Sequence, residues 1–320
     1  MHPAFSVIAF TTLSGAGYGL LISVAFAVLL EASPARALLA LVGVALVLVT
    51  VGLLSSLAHL GKPLRAWRAL SQWRTSWLSR EGVMAVLTYV PALAMAALLL
   101  PNLLSNDANA LVQRGNIVGI GVCIGVIAGS LLTIVCTAMI YASLKPIPAW
   151  RQRWVVPGYL AFALLSGTAL LGAGLALSGG GGGAAVTTLM VAVAALALLT
   201  AAIKTAYWRE IDSAALPATR GDAVGLPGRD ISVFERPHTE DNYLTREMGF
   251  VVARKHAPRL RLIALALFAA LPLLAMLAAW LMPPLATVTL PLAAIAVVAG
   301  ALVERWLFFA QARHLVTLYY

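Results

Sequence analysis

Apolar residues run through this chain in eight long stretches, roughly 4–30, 34–60, 81–100, 117–144, 154–178, 184–208, 258–282 and 285–311. Each is close to or above the ~20 residues that one helical crossing of a bilayer requires. Helix breakers fall between them: Pro34, Pro63, Pro101, Pro146 with Pro148, the glycine run from Gly179 to Gly183, and the pair Pro283 and Pro284. Without that last break a single helix would run from 258 to 311, too long for one crossing. Irregular backbone cannot face lipid, so the pattern predicts an all-α polytopic membrane protein. It is a bundle of eight transmembrane helices, one integral domain over 1–320. The first stretch is long enough to span and lacks a basic leader, and it is expected to be the first helix rather than a cleaved signal.

Composition narrows the class. The chain is 61% hydrophobic and only 11% charged, a mix that a soluble domain could not keep in solution. Its net charge of +10 would point to nucleic acid in a soluble protein. Here the charge follows topology, and no nucleic-acid partner is expected. If the side holding the N-terminus is side A, every one of the 22 lysines and arginines except Arg36 and Arg114 falls on side A or near its helix ends. The positive-inside rule then predicts that side A, with both termini, is cytoplasmic. Cys123 and Cys136 lie in one apolar run without ligand spacing and read as packing residues.

Two polar segments on side A stand out. The first, residues 59–82, interleaves Lys62, Arg65, Arg68, Arg74 and Arg80 with Trp67, Trp73 and Trp77, as expected of a stretch lying at the headgroups. The second, residues 209–257, is the one long hydrophilic loop. Its mixed charge and its aromatics Phe234, Tyr243 and Phe250 suit docking against another protein, with a solvated linker as the bland alternative. Arg68, Arg74, Arg246, Arg254 and Lys255 are the candidate docking residues. Lys145, Arg151 and Arg153 with Trp150 and Trp154 read as a further interfacial anchor.

A few ionisable groups approach the apolar region, all from side A. His59 ends the second stretch, either snorkelling to water or serving as a proton donor and quinone ligand. Glu81 opens the third, either favoured by the helix dipole in its first turn or relaying protons. Glu304 and Arg305 lie inside the last stretch, where an ionisable residue is a functional hypothesis by default and a structural ion pair is the alternative. As sequence neighbours they should not face one another, so each is expected to need a partner on another helix. All five histidines, His2, His59, His238, His256 and His314, are on side A, which excludes a haem relay across the membrane and leaves only one haem between His59 and His314 open. No metal site is expected. The convergence of His59, Glu81, Glu304 and Arg305 predicts a quinone site between the second, third and eighth helices, in the side-A half.

The stretches HLGKPLRAWRAL and LSREG resemble the membrane anchor subunit of dimethyl sulfoxide reductase and its relatives. His59, Pro63, Arg65 and Glu81 match the family's histidine-leucine-glycine-x-proline motif, its following arginine and its later glutamate. HPAFSVIAFTTLSGAGYG and GALVERWLFF resemble the family's first and last helices. The resemblance implies a haem-free anchor that binds an iron–sulfur electron-transfer subunit and a molybdopterin catalytic subunit. Those cofactors would sit in the partners, and electrons would pass to or from ubiquinone or menaquinone near His59, Arg65 and Glu81. The insert EDNYLTREMGFVVARKHA is more similar to the anchors of cytoplasm-facing sulfite dehydrogenases. With the charge map, it favours sulfite oxidation and quinone reduction at a bacterial inner membrane, partners on the cytoplasmic side, over sulfoxide reduction with quinol oxidation. A secondary transporter and a passive anchor without a quinone site are the other classes open to the sequence.

Overall fold

Eight helices long and apolar enough to cross a membrane make up the computed structural model, which describes residues 4–30, 35–58, 60–103, 116–180, 184–214, 216–235, 240 and 252–319. They are α1 (Phe5–Leu29), α2 (Ala35–Leu57), α3 (Trp77–Leu99), α4 (Ile117–Ala142), α5 (Val155–Leu175), α6 (Ala184–Ser213), α7 (Val252–Leu265, continuing through a π turn at Ala266–Ala270 into Leu271–Leu281) and α8 (Ala286–Ala310). The eight expected stretches are all present. The pair Pro283 and Pro284 forms a short 3₁₀ turn, Pro283–Leu285, that divides α7 from α8. Three ends differ by more than a turn of fraying, one of them the start of α7 at Val252, ahead of the expected 258. Ser76 caps the Ser79 N–H and starts α3 at Trp77, ahead of the expected 81. At the other end, α6 runs past 208 to Ser213, because Trp208, Arg209 and Glu210 continue it into the headgroup zone.

The helices are not equivalent. In α1 and α5, 78% and 72% of the spanning residues are buried, against 39% or fewer in the other six. These two therefore form the core, and the others surround them and face lipid. α1 packs on α2, α4, α5 and α8, while α5 packs on α4, α6 and α8. Lipid tails give helices no hydrophobic reason to associate, so small residues and hydrogen bonds must hold the bundle. The sequence supplies both. A Cβ on Gly19 would lie 1.7 Å from the Ala163 carbonyl oxygen, and one on Gly167 would lie 2.0 Å from the Gly19 carbonyl carbon, so α1 and α5 touch backbone to backbone. Ser23 and Thr168 bond across the same seam at 3.2 Å, Thr88 and Thr133 join α3 to α4 at 3.2 Å, and Thr50 and Tyr89 join α2 to α3 at 2.6 Å.

The π turn of α7 has a local cause. Pro272 has no N–H to give the carbonyl four residues back, and the Leu271 N–H bonds instead to Ala266 O, five residues back. The widened turn packs against Gly300 of α8, where a Cβ would meet the Phe268 backbone nitrogen at 2.7 Å. One turn beyond Gly300 come Glu304 and Arg305.

Candidate functional site

The buried ionisable side chains lie in one layer, one to three helical turns in from the side-A ends of their helices. On one flank is Glu81 of α3, 5% exposed. It sits past the first turn, beyond the main reach of the helix dipole that its expected first-turn position invoked. The Thr137 hydroxyl of α4 donates to it at 3.5 Å and is its hydrogen-bond partner among the described residues. On the other flank, Glu304 of α8 is wholly buried and paired with Lys204 of α6. Arg305 also reaches back to Glu304, Nη1 to Oε2 at 3.4 Å. Both neighbours do find partners on other helices, Glu304 on Lys204 of α6 and Arg305 on the Tyr159 ring of α5, and the long Arg305 side chain also folds back to its own neighbour.

Aromatic rings line this charged cluster. Lys204 Nζ lies 3.9 Å from the Tyr207 ring centre, and Arg305 Cζ lies 3.6 Å from that of Tyr159. Desolvated cations over such ring faces gain roughly 2 kcal/mol each. Trp150, expected to anchor at the interface, is instead buried at 5% exposure and donates from Nε1 to the Phe308 carbonyl at 2.9 Å. It thereby satisfies one of the carbonyls that the end of α8 leaves open. Tyr207 donates to the Ala149 carbonyl at 3.0 Å, tying the loop after α4 to α6.

Between the flanks lies a small cavity of about 20 Å³, lined by residues of α1, α4, α5 and α8 that include Thr12, Tyr18, Thr137, Tyr159 and Arg305. The Thr12 and Tyr159 hydroxyls line it without a hydrogen-bond partner among the described residues. Its size and polarity suit a water. They do not suit a quinone ring, since sites for small organic molecules measure roughly 300 Å³ or more. The expected meeting of groups between the second, third and eighth helices is therefore not what the fold builds. Glu81 pairs with α4, the Glu304 cluster packs among α5, α6 and α8, and the polar link between them passes through α1, α4 and α5. A roomier groove of about 540 Å³ opens between α1, α5 and α6 in the side-B half, but it is lined by apolar, serine and threonine side chains such as Phe26, Leu164, Ser23 and Thr168. It offers no ionisable group to a quinone.

Lys204 is the member of this buried charged cluster that sequence reasoning missed. Its signal was present: a lysine inside AAIKTAYW, in a run that otherwise reads as lipid-spanning. Placing the end of α6 at 208 made it a helix-end lysine free to reach water. With the helix ending at Ser213, it lies about 14 Å inside, at 1.5 Å per residue.

His59 and Arg246 lie outside the described residues. Pro63–Gln72 forms a 3₁₀ helix whose residues are exposed except for half-buried Ala66, and Arg65, Arg68 and, just beyond it, Arg74 are among the exposed ones. Arg65 touches neither Glu81 nor the cavity. Arg68, Arg74 and Arg80 lie over Trp67, Trp73 and Trp77, and Arg80 also donates to the Trp73 and Arg74 carbonyls at 3.0 and 2.7 Å. The segment is pinned to the start of α3 by a hydrogen bond from the Ser79 hydroxyl to the Ala69 carbonyl, and a Cβ on Gly82 would strike Leu70. It thus forms a roof over the turn that carries Glu81. Arg254 lies in the first turn of α7, followed by exposed Lys255. In the loop after α6, a Thr219–Asp222 capping box starts a single helical turn at Arg220–Ala223, and its hydrogen bonds hold the Asp222 carboxyl below its ordinary range. Phe234 is fully exposed there, while Tyr243 and Phe250 lie outside the described residues. His314 accepts from the Val316 N–H through Nδ1 at 3.0 Å, and partial burial lowers its pKa. Both cysteines are free and buried, as packing residues should be.

Fold and site together define a multi-pass helical membrane protein whose buried ionisable groups gather beneath one face. The sequence model of the DMSO reductase anchor subunit (DmsC) family matches residues 1–311, and the chain belongs to that family of membrane anchors, which serve complexes whose catalytic and electron-transfer chains are separate. It is 37% identical to the C subunit of the sulfite dehydrogenase of Allochromatium vinosum, over 331 aligned positions that cover 100% of this chain and 99% of the relative.

Proposed function

We propose that this chain is the quinone-reactive anchor of a molybdopterin and iron–sulfur complex that passes electrons from sulfite oxidation to the quinone pool. The observation that carries the quinone reading is Glu81: a carboxyl group buried just past the first turn of α3, under the Pro63–Gln72 roof, with the Thr137 hydroxyl as its hydrogen-bond partner among the described residues. A quinone bound from the lipid at that edge would present a carbonyl oxygen that must gain a proton as electrons arrive. Glu81 is suited to give it, and the motif residue His59 to hold the ring. Bound quinone supplies the two-electron acceptor, and the chain supplies the proton and the position. Sulfite as electron source is supported by the similarity to the sulfite dehydrogenase relative and by the gathering of lysine and arginine on side A, which the positive-inside rule assigns to the cytoplasm.

In the purified complex, Glu81→Gln should lower sulfite-dependent quinone reduction at least about a hundredfold, the scale of a lost general acid. Oxidation of sulfite by a soluble artificial acceptor should be unaffected. His59→Ala should behave in the same way. Quinone reduction at the wild-type rate in both variants would remove this assignment.

The partner platform is assigned to the same side. The 59–82 segment, the loop after α6 with its exposed Phe234, and the start of α7 gather cations and apolar side chains where an iron–sulfur subunit would dock, with Arg68, Arg74, Arg246, Arg254 and Lys255 as contacts. Reversing the charge of Arg246, Arg254 and Lys255 together is expected to release active catalytic subunits into the cytoplasmic fraction. Retention on the membrane through high salt would move the platform elsewhere, and release into the periplasm would invert the topology.

A further inference from the structure

We infer that Lys204 and Glu304, through the small cavity beside Arg305 and the Thr137 hydroxyl, form an internal proton route from side A to Glu81. The inference rests on the quinone reading above and names the path by which its proton donor is refilled.

Stability alone gives no reason to bury these charges, because a buried ion pair replaced by apolar residues of similar volume is often neutral or even stabilising. What the arrangement does provide is a line of polar groups across the bundle, interrupted at its outer end by the Trp208 indole and joined to the cavity by Arg305. At its outer end, a recess of about 470 Å³ open on side A is lined by Gln152, Asp212, Arg261, Gln311 and Arg313 among others. Arg261 is held there by Asp212, at 2.5 and 2.8 Å. Its guanidinium lies 5.4 Å from the ring centre of Trp208, and Lys204 Nζ lies 5.6 Å from the same ring, so one indole separates the recess from the buried ammonium. Lys204 contacts Glu304, Glu304 contacts Arg305, and Arg305 lines the cavity. Thr137 lines that cavity too, and its hydroxyl points to Glu81. The free Thr12 and Tyr159 hydroxyls are placed to hold a water between the two flanks.

The proton balance is simple. Each of the two protons that a quinone takes up with two electrons, which a partner's iron–sulfur cluster would supply one at a time, leaves Glu81 for a quinone oxygen. The Glu81 carboxylate regains it through Thr137 from the cavity water, and that water from protonated Glu304 past the Arg305 side chain that walls it. Glu304 is reprotonated by the Lys204 ammonium, and Lys204 from the recess past the Trp208 indole. Arg305 keeps its charge throughout, orienting Glu304 and walling the cavity.

The test is the double variant Lys204→Met/Glu304→Gln in the intact complex. It keeps the net charge of the cluster and leaves Arg305 an amide oxygen to bond, so a purely structural ion pair predicts wild-type quinone turnover. The proton route predicts at least about tenfold slower quinone reduction with unchanged artificial-acceptor activity. Thr137→Val, which removes only the hydroxyl link, should show the same split, and adding it to the double variant should cost nothing further. A double variant at the wild-type rate overturns the route. If the double variant does not assemble, Thr137→Val decides in its place, and a wild-type rate there overturns it equally. Glu81→Gln separates the two levels: if it too is fast, the quinone reading has failed, whereas if it is slow beside a fast double variant, only the route has.

Discussion

Gly19→Leu is expected to abolish accumulation of the folded protein. The glycine sits where α1 and α5 cross, and even the first atom of a side chain would lie 1.7 Å from the Ala163 carbonyl oxygen and 2.5 Å from its carbon. Those are backbone atoms of the most enclosed helix pair in the bundle, so no rotamer change relieves the overlap. The helices would have to separate, breaking the Ser23–Thr168 bond and opening the cavity wall that α1 and α5 share. The cost should exceed the 1–3 kcal/mol, roughly, of ordinary overpacking. Gly43 on α2 is the matched control, since a Cβ there meets nothing within 4 Å. Size-exclusion chromatography of fluorescently tagged variants would read the difference: a monodisperse peak for Gly43→Leu, and aggregate or no protein for Gly19→Leu. A normal peak from Gly19→Leu would mean that the α1–α5 crossing is looser than these distances indicate.

The second large effect is expected from Glu304→Gln alone. Glu304 is the one anion between Lys204 and Arg305, whose side chains are each only 5% exposed. Neutralising it leaves two cations facing one another in an apolar layer. Removal of one partner of a buried pair costs about 3–5 kcal/mol, and here one deletion affects two pairs. A thermal shift in detergent of several degrees or more should follow. Adding Lys204→Met should recover much of it, because one of the stranded charges is then gone. If the single variant melts with the wild type, water reaches the cluster far more freely than its burial indicates. Stability and turnover part company here: the double substitution restores the first and, by the proton route, not the second.

The spans could be read almost entirely from the sequence, since a 20-residue apolar run has few alternatives in a bilayer. The π turn in α7 could not, because a proline inside an apolar run leaves open whether the helix kinks, breaks or widens. The site was half legible. Glu81, Glu304 and Arg305 stood out as charges at or inside spans. Their partners did not, because helix-to-helix contact depends on which faces turn inward, and α1 and α5 carry apolar residues all round. Threonine was the quieter signal. Thr12 and Thr137 look like ordinary small packing residues in sequence, and only the assembled bundle aims them at one cavity. Lys204 was hidden by a misplaced helix end of five residues, enough to turn a buried ammonium into a snorkelling one.

The central position of α1 also sets an order on biogenesis. A ribosome delivers this helix ahead of the other seven, yet in the finished bundle it is the most enclosed of the eight. Its Thr11, Thr12 and Ser14 must therefore spend the early part of synthesis facing lipid or the insertion machinery. Thr11 and Ser14 cover their hydroxyls with bonds to the Val7, Ile8 and Phe10 carbonyls of their own helix. Glu304 and Arg305 ride in on the last helix, when Lys204 is already in place. The charge cluster is consequently a closing event: the final crossing becomes comfortable in the membrane only once the seven before it have gathered, and a chain stopped short of residue 304 would leave Lys204 waiting without its anion.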